Sequence, residues 1–260
     1  RTEGSYTTSA KPAGTISVVA TPHSIEAVLR SNYGPLAAGS FTLASQIEDA
    51  RWLSLAWVED VAGGTERLVR IQDVWFHAVT LGSDGRGRLV IDAEYAGRAS
   101  LVQALNVGGV TLPASPMTPN RAVFPARTIT IRRDPAGANV SLRFRRFALR
   151  LDQGLSHEYS MATGLHEVYK FGRLRATLEI ESDVSDETWA LIDNNRGNTR
   201  ERYRIVATTE NSANTLTIDL YEVNLTINPI GHRAREYNAL VAHGEAHADA
   251  SGNFVTISFA

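Results

Sequence analysis

The chain has 260 residues, 43% of them hydrophobic, which is enough to bury one large core or two of ordinary size and excludes disorder as the default state. With 26 basic and 28 acidic residues its formal charge is -2, so it has no overall attraction to nucleic acid or to an acidic membrane surface. The absence of cysteine removes disulfides, thiolate metal sites and a cysteine nucleophile, and no stretch approaches the roughly 20 apolar residues of a membrane-spanning helix.

The opening, Arg1 to Gly14, is polar and not signal-like. Because the sequence opens on Arg1, it is expected to be a processed chain or part of a longer one. Residues 1–13 read as an arm. Strict alternation begins with Ile16, Val18 and Ala20 on one face, the period of a half-buried strand. A helix over residues 22–32 follows: Thr21 caps it, Pro22 suits its first position, Ile25, Val28 and Leu29 form its stripe, and Gly34 stops it. Further strands are marked by Leu53, Leu55 and Trp57 and by Leu89, Ile91, Ala93 and Tyr95. The glycine-bearing stretch of residues 82–88 precedes an extended segment, where a phosphate-cradling loop would need a helix, so it reads as a hairpin tip.

Five prolines, Pro113, Pro116, Pro119, Pro125 and Pro135, mark residues 111–138 as a linker or crossover. It separates a first domain, residues 14–110, from a second, residues 139–260. In the second, Leu174, Ala176, Leu178 and Ile180 alternate, and a helix over 185–195 carries Leu191 and Ile192. Strands around Leu216, Ile218 and Leu220 and around Phe254 follow. Strand, short helix, strand, strand thus occurs twice, with Thr15–Val18 matching Thr177–Ile180, Phe41–Leu43 matching Tyr203–Ile205, and Leu53, Leu55 and Trp57 matching Leu216, Ile218 and Leu220. The fold class is mainly β: two duplicated β-sandwich or barrel domains, each with a short flanking α-helix.

This order of elements resembles the tail tube, or major tail, proteins of long-tailed, siphophage-like bacteriophages. The matching features are the hairpin of residues 69–95, the strand and helix of residues 174–192, and the run Ala239-Leu240-Val241-Ala242-His243-Gly244-Glu245-Ala246-His247 before a closing strand. The connection of residues 153–170 is longer than its apparent counterpart at 82–88, a departure from a simple repeat. The resemblance implies tail-tube-like β-sandwich domains in a structural virion protein. Such a subunit assembles with itself into rings, here a trimer with pseudo-sixfold symmetry, stacked into a hollow channel for DNA passage. It also implies tape measure, terminator and distal tail proteins as partners, a place in the virion after assembly in the host cytoplasm, and neither cofactor, metal site nor membrane. Residues 68–97 and 140–182 are expected to form the inner wall, with Asp73, Asp92 and Glu94 facing the lumen. Residues 1–13 and 153–170 are expected to serve assembly.

Other chemistry is weighed against this. His243, Glu245 and His247 lack the helical metalloprotease spacing and read as one strand face. Ser156 and His157 are mere chain neighbours, and Glu179, Glu181, Asp183, Asp186 and Glu187 lead into a helix start. Arg143, Arg145, Arg146 and Arg150 with Phe144 and Phe147 suggest a single-strand nucleic-acid groove, but the alternation of Phe147, Leu149 and Leu151 assigns the aromatic to a core. No constellation supports an enzyme. The alternative is a carbohydrate-binding or adhesion β-sandwich that stacks sugars on Trp52, Trp75 or Tyr95.

Overall fold

The computed structural model describes residues 12–33, 40–41, 53–61, 65–83, 87–104, 122–134, 140–160, 165–183, 186, 199–228 and 239–260. The protein is mainly β. Among the described residues fourteen strands join one antiparallel hydrogen-bonded network: β1 Ala13–Val19, β2 Ser40–Phe41, β3 Leu53–Val61, β4 Thr65–Ser83, β5 Val90–Ala96, β6 Ala99–Ala104, β7 Thr130–Asp134, β8 Val140–Leu142, β9 Arg146–Ser160, β10 Leu165–Asp183, β11 Glu201–Thr208, β12 Thr215–Asn228, β13 Ala239–Glu245 and β14 Val255–Phe259.

Three regions of this network are distinct. The main sheet runs β1-β5-β4-β9-β10-β13-β12. A smaller sheet runs β2-β14-β12-β11-β7-β8. A side arm places β3 and β6 on either side of the first half of β4. Alternation explains why the main and smaller sheets share a core. Val79, Leu81, Ile91, Leu149, Leu151, Leu178 and Ile180 point inward from the first, and Ile131, Tyr203, Ile205, Leu216, Ile218 and Ile257 from the second, in one continuous cluster.

Helix α1, Pro22–Tyr33, closes part of this core by burying Ile25, Val28 and Leu29 against β4. Its start is held by a reciprocal cap: the Ser24 N–H donates to Thr21 Oγ1 at 3.1 Å, and the Thr21 N–H donates to Ser24 Oγ at 2.8 Å. Of the expected second helix only Asp186 is described, and Leu191 and Ile192 lie outside the described residues.

Two groups of strands share a pattern of partners, and that pattern does not follow the residue matches of the expected repeat. β4 pairs with β3 and β6 in its first half, then with β5 from Trp75 onward. β12 pairs with β11 and β14 in its first half, then with β13 from Asn224 onward. Each crossing holds one acidic residue in the left-handed region, Asp73 (φ 50°) and Glu222 (φ 47°). The register slips at the same place in both: Leu53 and Leu55 oppose Val74 and Ile71, as Glu201 and Tyr203 oppose Val223 and Leu220. The local sequences are Ile71-Gln72-Asp73-Val74 and Leu220-Tyr221-Glu222-Val223. β5 then lies on β1 as β13 lies on β10. So β3 and β4, rather than β2 and β3, correspond to β11 and β12, and Ala13, not Thr15, corresponds to Thr177.

The two groups are not separate sandwiches. β4 pairs directly with β9 from Ala78↔Asp152 to Ser83↔Phe147, and the core runs through both. Residues 122–134, expected within a linker, contribute Phe124, Ala126, Ile129 and Ile131 to that core. Pro125 precedes a 3₁₀ turn, Ala126–Thr128, where its missing N–H costs nothing, and β7 then joins β11. Residues 153–160 and 165–171 prolong β9 and β10 as an antiparallel hairpin.

Candidate functional site

The inward face of the main sheet is core, so its other face is where side chains meet solvent. Hydrogen-bond registers give the rows on that open face. One row runs Ser17, Asp92, Thr80, Arg150, Thr177, Glu245 and Asn224 from β1 to β12. The next runs Val19, Val90, Gly82, Ala148, Glu179, His243 and Thr226. The period of two holds along both rows: the first is polar in every strand, while the second sets Val19, Val90, Gly82 and Ala148 beside Glu179, His243 and Thr226.

Acidic residues outnumber basic ones on this face. Asp92, Glu94, Asp152, Glu179, Glu181 and Glu245 stand against Arg146, Arg150 and Arg175. Two of the arginines, Arg146 and Arg150, are held by nearby carboxylates. Arg150 donates to Glu94 at 3.0 Å and to Asp152 at 3.1 Å. Arg146 lies 3.6 Å from Glu179 and 3.4 Å from Glu181. Partial burial pulls Arg150 down, but hydrogen bonds to Asp152 and Glu94 and the charges of both outweigh it, so its guanidinium is held above its ordinary value. All these groups are substantially exposed, so each pair contributes little to stability. Their effect is on the field of the face. Gly82 and Ala148, side by side, leave an open groove of ≈ 550 Å³ bordered by Arg88, Asp92, Arg146 and Glu179.

Of the expected wall residues, Asp92 and Glu94 lie on this face and Asp73 does not. Asp73 sits where β4 crosses between sheets, 3.4 Å from Arg98. The segments expected to form the wall, residues 68–97 and 140–182, supply the adjacent strands β5, β4, β9 and β10 at the middle of the main sheet.

Other sequence candidates are placed as follows. His243 and Glu245 lie on the open face, with His243 Nδ1 3.5 Å from Glu179, while His247 lies beyond the strand and donates its N–H to the Tyr221 carbonyl. No group of three metal-ligating side chains occurs among the described residues. Ser156 and His157 fall opposite Lys170 and Tyr169 in the prolonged hairpin. Arg145 pairs with Asp183, and Phe144 packs edge-to-face on buried Phe147 at 5.7 Å, closing the aromatic part of the arginine run into the core. For sugar stacking, Trp75 is 2% exposed, Tyr95 packs edge-to-face on Phe76 at 6.3 Å, and Trp52 lies outside the described residues.

Sequence reading missed a buried polar group in the smaller sheet. Arg133 and Glu201, 8% and 4% exposed, approach to 3.5 Å, and the Tyr203 hydroxyl donates to Glu201 at 3.3 Å. Burial first, then the Glu201 charge, pushes the Tyr203 hydroxyl far above its ordinary range. The only signal in sequence is that Arg133, Glu201 and Tyr203 occupy inward-facing positions in alternating strands. No helix among the described residues is long and apolar enough to cross a membrane. Neither a protein-family model nor any curated protein sequence matches this chain.

Proposed function

We propose that this chain is a non-enzymatic structural subunit of a phage tail tube, two duplicated tube-like units in one polypeptide, which assembles into stacked rings around a channel for DNA. The observation that carries this is the main sheet, one face core and the other a weakly acidic face with a row, Ser17 to Asn224, that is polar in every strand. A DNA conduit needs a wall that neutralises few phosphates, because each neutralised phosphate adds affinity and would slow passage. The twice-repeated strand arrangement supports the duplication and a trimer with pseudo-sixfold symmetry. In this reading the protein belongs to the virion, is assembled in the host cytoplasm, and meets tape measure, terminator and distal tail proteins at the ends or in the bore of the tube. The alternative of a carbohydrate-binding or adhesion module needs an exposed aromatic platform, and the burial of Trp75 weighs against it.

Sedimentation and electron microscopy of the pure, concentrated protein test this. Rings or tubes with a central channel are the expected result, and a strict monomer at millimolar concentration would overturn it.

A further inference from the structure

The smaller sheet turns one face to the shared core, so its other face points away from the open face of the main sheet. Registers again give the rows. One runs Ser141, Arg132, Arg204, Asp219 and Thr256 from β8 to β14. Beside it Asp134 lies opposite Arg202. Asp219 serves two guanidinium groups at once: it accepts from Arg204 Nε at 2.7 Å and Nη2 at 3.0 Å, and from Arg202 Nη2 at 2.8 Å. Arg202 also lies over the Tyr221 ring, 4.9 Å from its centroid, so both guanidinium groups are fixed in place.

Arg132 is placed differently. It is exposed, it stands directly opposite Arg204 on the side away from Asp219, and among the described residues no carboxylate lies within ion-pair distance of it. Cross-strand partners stand about 4.5–5.5 Å apart at Cβ, where like charges repel. Asp134 does not relieve this, because its Oδ1 is buried without a hydrogen-bond partner, as is the Nε of Arg202 across from it. On the main sheet Arg146 and Arg150 each meet two carboxylates. Here two arginines share one carboxylate and the third has none.

We propose that this face of the smaller sheet binds a phosphate group between Arg132 and Arg204. The planar fork of an arginine matches two oxygens of a phosphate. A tetrahedral oxyanion can fill the Arg132 fork with two oxygens and turn a third toward Arg204, whose Nη1 is not engaged by Asp219. Chloride is a single point, and a carboxylate has no third oxygen. The bound anion removes the repulsion between the two opposed cations. The site does not rest on the tube reading. It lies across the core from the acidic face, so a phosphate held here is separate from any that passes along that face.

The test is calorimetric titration of the full chain with inorganic phosphate at low ionic strength, with thermal unfolding followed in phosphate and in sodium chloride of matched ionic strength. One phosphate is expected to bind per chain and to raise the unfolding temperature above that in chloride. Arg132→Ala is expected to bind at least tenfold more weakly. Arg127→Ala, an exposed arginine on the 3₁₀ turn, is expected to bind as the full chain does. In the absence of phosphate Arg132→Ala should unfold no earlier than the full chain, since it removes one of two opposed like charges. Arg132→Lys keeps the charge without the fork, should also lose affinity, and decides the matter if the alanine variant does not fold. Glycerol phosphate separates the sources: binding as tight as that of inorganic phosphate assigns the site to an esterified group, and weaker binding assigns it to the free ion. Unfolding temperatures equal in phosphate and matched chloride, or undiminished phosphate binding by the Arg132 variants, overturn the proposal.

Discussion

At Glu222 the chain crosses from the smaller sheet into the main one with φ 47°, a conformation that costs an L residue about 1–2 kcal/mol. Glycine is free of that cost but is about 0.5–1 kcal/mol more expensive to order, so Glu222→Gly should stabilise by roughly 0.5–1 kcal/mol. The check is a urea unfolding midpoint that rises at unchanged slope, with Glu222→Ala showing no gain. Tyr203 gives a prediction in pH. Its hydroxyl ionises in the folded protein far above the ordinary value of 10.0, chiefly through burial and next through Glu201. Because the folded value is raised, the associated stability is fully present below pH 10 and is lost as pH rises beyond it, when the unfolded chain ionises and the folded one does not. Each such proton contributes a slope of about 1.4 kcal/mol per pH unit. Tyr203→Phe should therefore cost about 1 kcal/mol at neutral pH through the lost hydrogen bond, yet make the decline above pH 10 shallower. An identical alkaline decline in both proteins would count against this.

Among the elements, α1 is the one whose start depends on two side chains. Thr21→Ala should destabilise by about 1 kcal/mol, and Ser24→Ala added to it should cost less than it does alone, since the two hydrogen bonds are reciprocal. Chemical denaturation of the two single variants and the double variant measures this coupling, and strict additivity would contradict it. The helix was legible in sequence because cap, proline and apolar stripe agree over residues 22–32, against the observed Pro22–Tyr33. Strands were legible from alternation, and so was the place of Asp92 and Glu94 on the sheet face opposite the inward-pointing Ile91 and Ala93. Alternation has a blind spot, however. A shift of two residues leaves every side chain on the same face, so the register between the two strand groups and the correspondence of β3 with β11 could not be read from it. Asp73 was misplaced for a related reason: a single left-handed residue interrupts the alternation of β4 and turns the strand into another sheet. Prolines concealed β7 and its buried neighbours, because Pro125 begins a turn packed into the core instead of a free linker.

For the whole molecule, the proposed tube turns on what the charge of the open face would do in it. A net charge of -2 for the chain says nothing of its distribution, but the registers concentrate six carboxylates and three guanidinium groups on one side of the main sheet. Facing the proposed bore, such a wall would repel the phosphate backbone weakly over about a Debye length, roughly 10 Å at 0.1 M salt, and would offer no continuous basic stripe to hold it. Arg150 and Arg146 are already engaged by Glu94, Asp152, Glu179 and Glu181, which leaves them poor phosphate ligands. Replacing Asp92, Glu94 and Glu245 together by lysine reverses the balance, since three carboxylates then face six cations. Tubes of this variant should bind duplex DNA at least tenfold more tightly than unaltered tubes at about 50 mM salt, and lose that gain near 200 mM as counterions compete. Filter binding across a salt series on assembled protein measures both. Unaltered tubes that hold DNA as tightly as the lysine variant, or an assembled ring whose bore is lined by other segments, would refute the role assigned to this face.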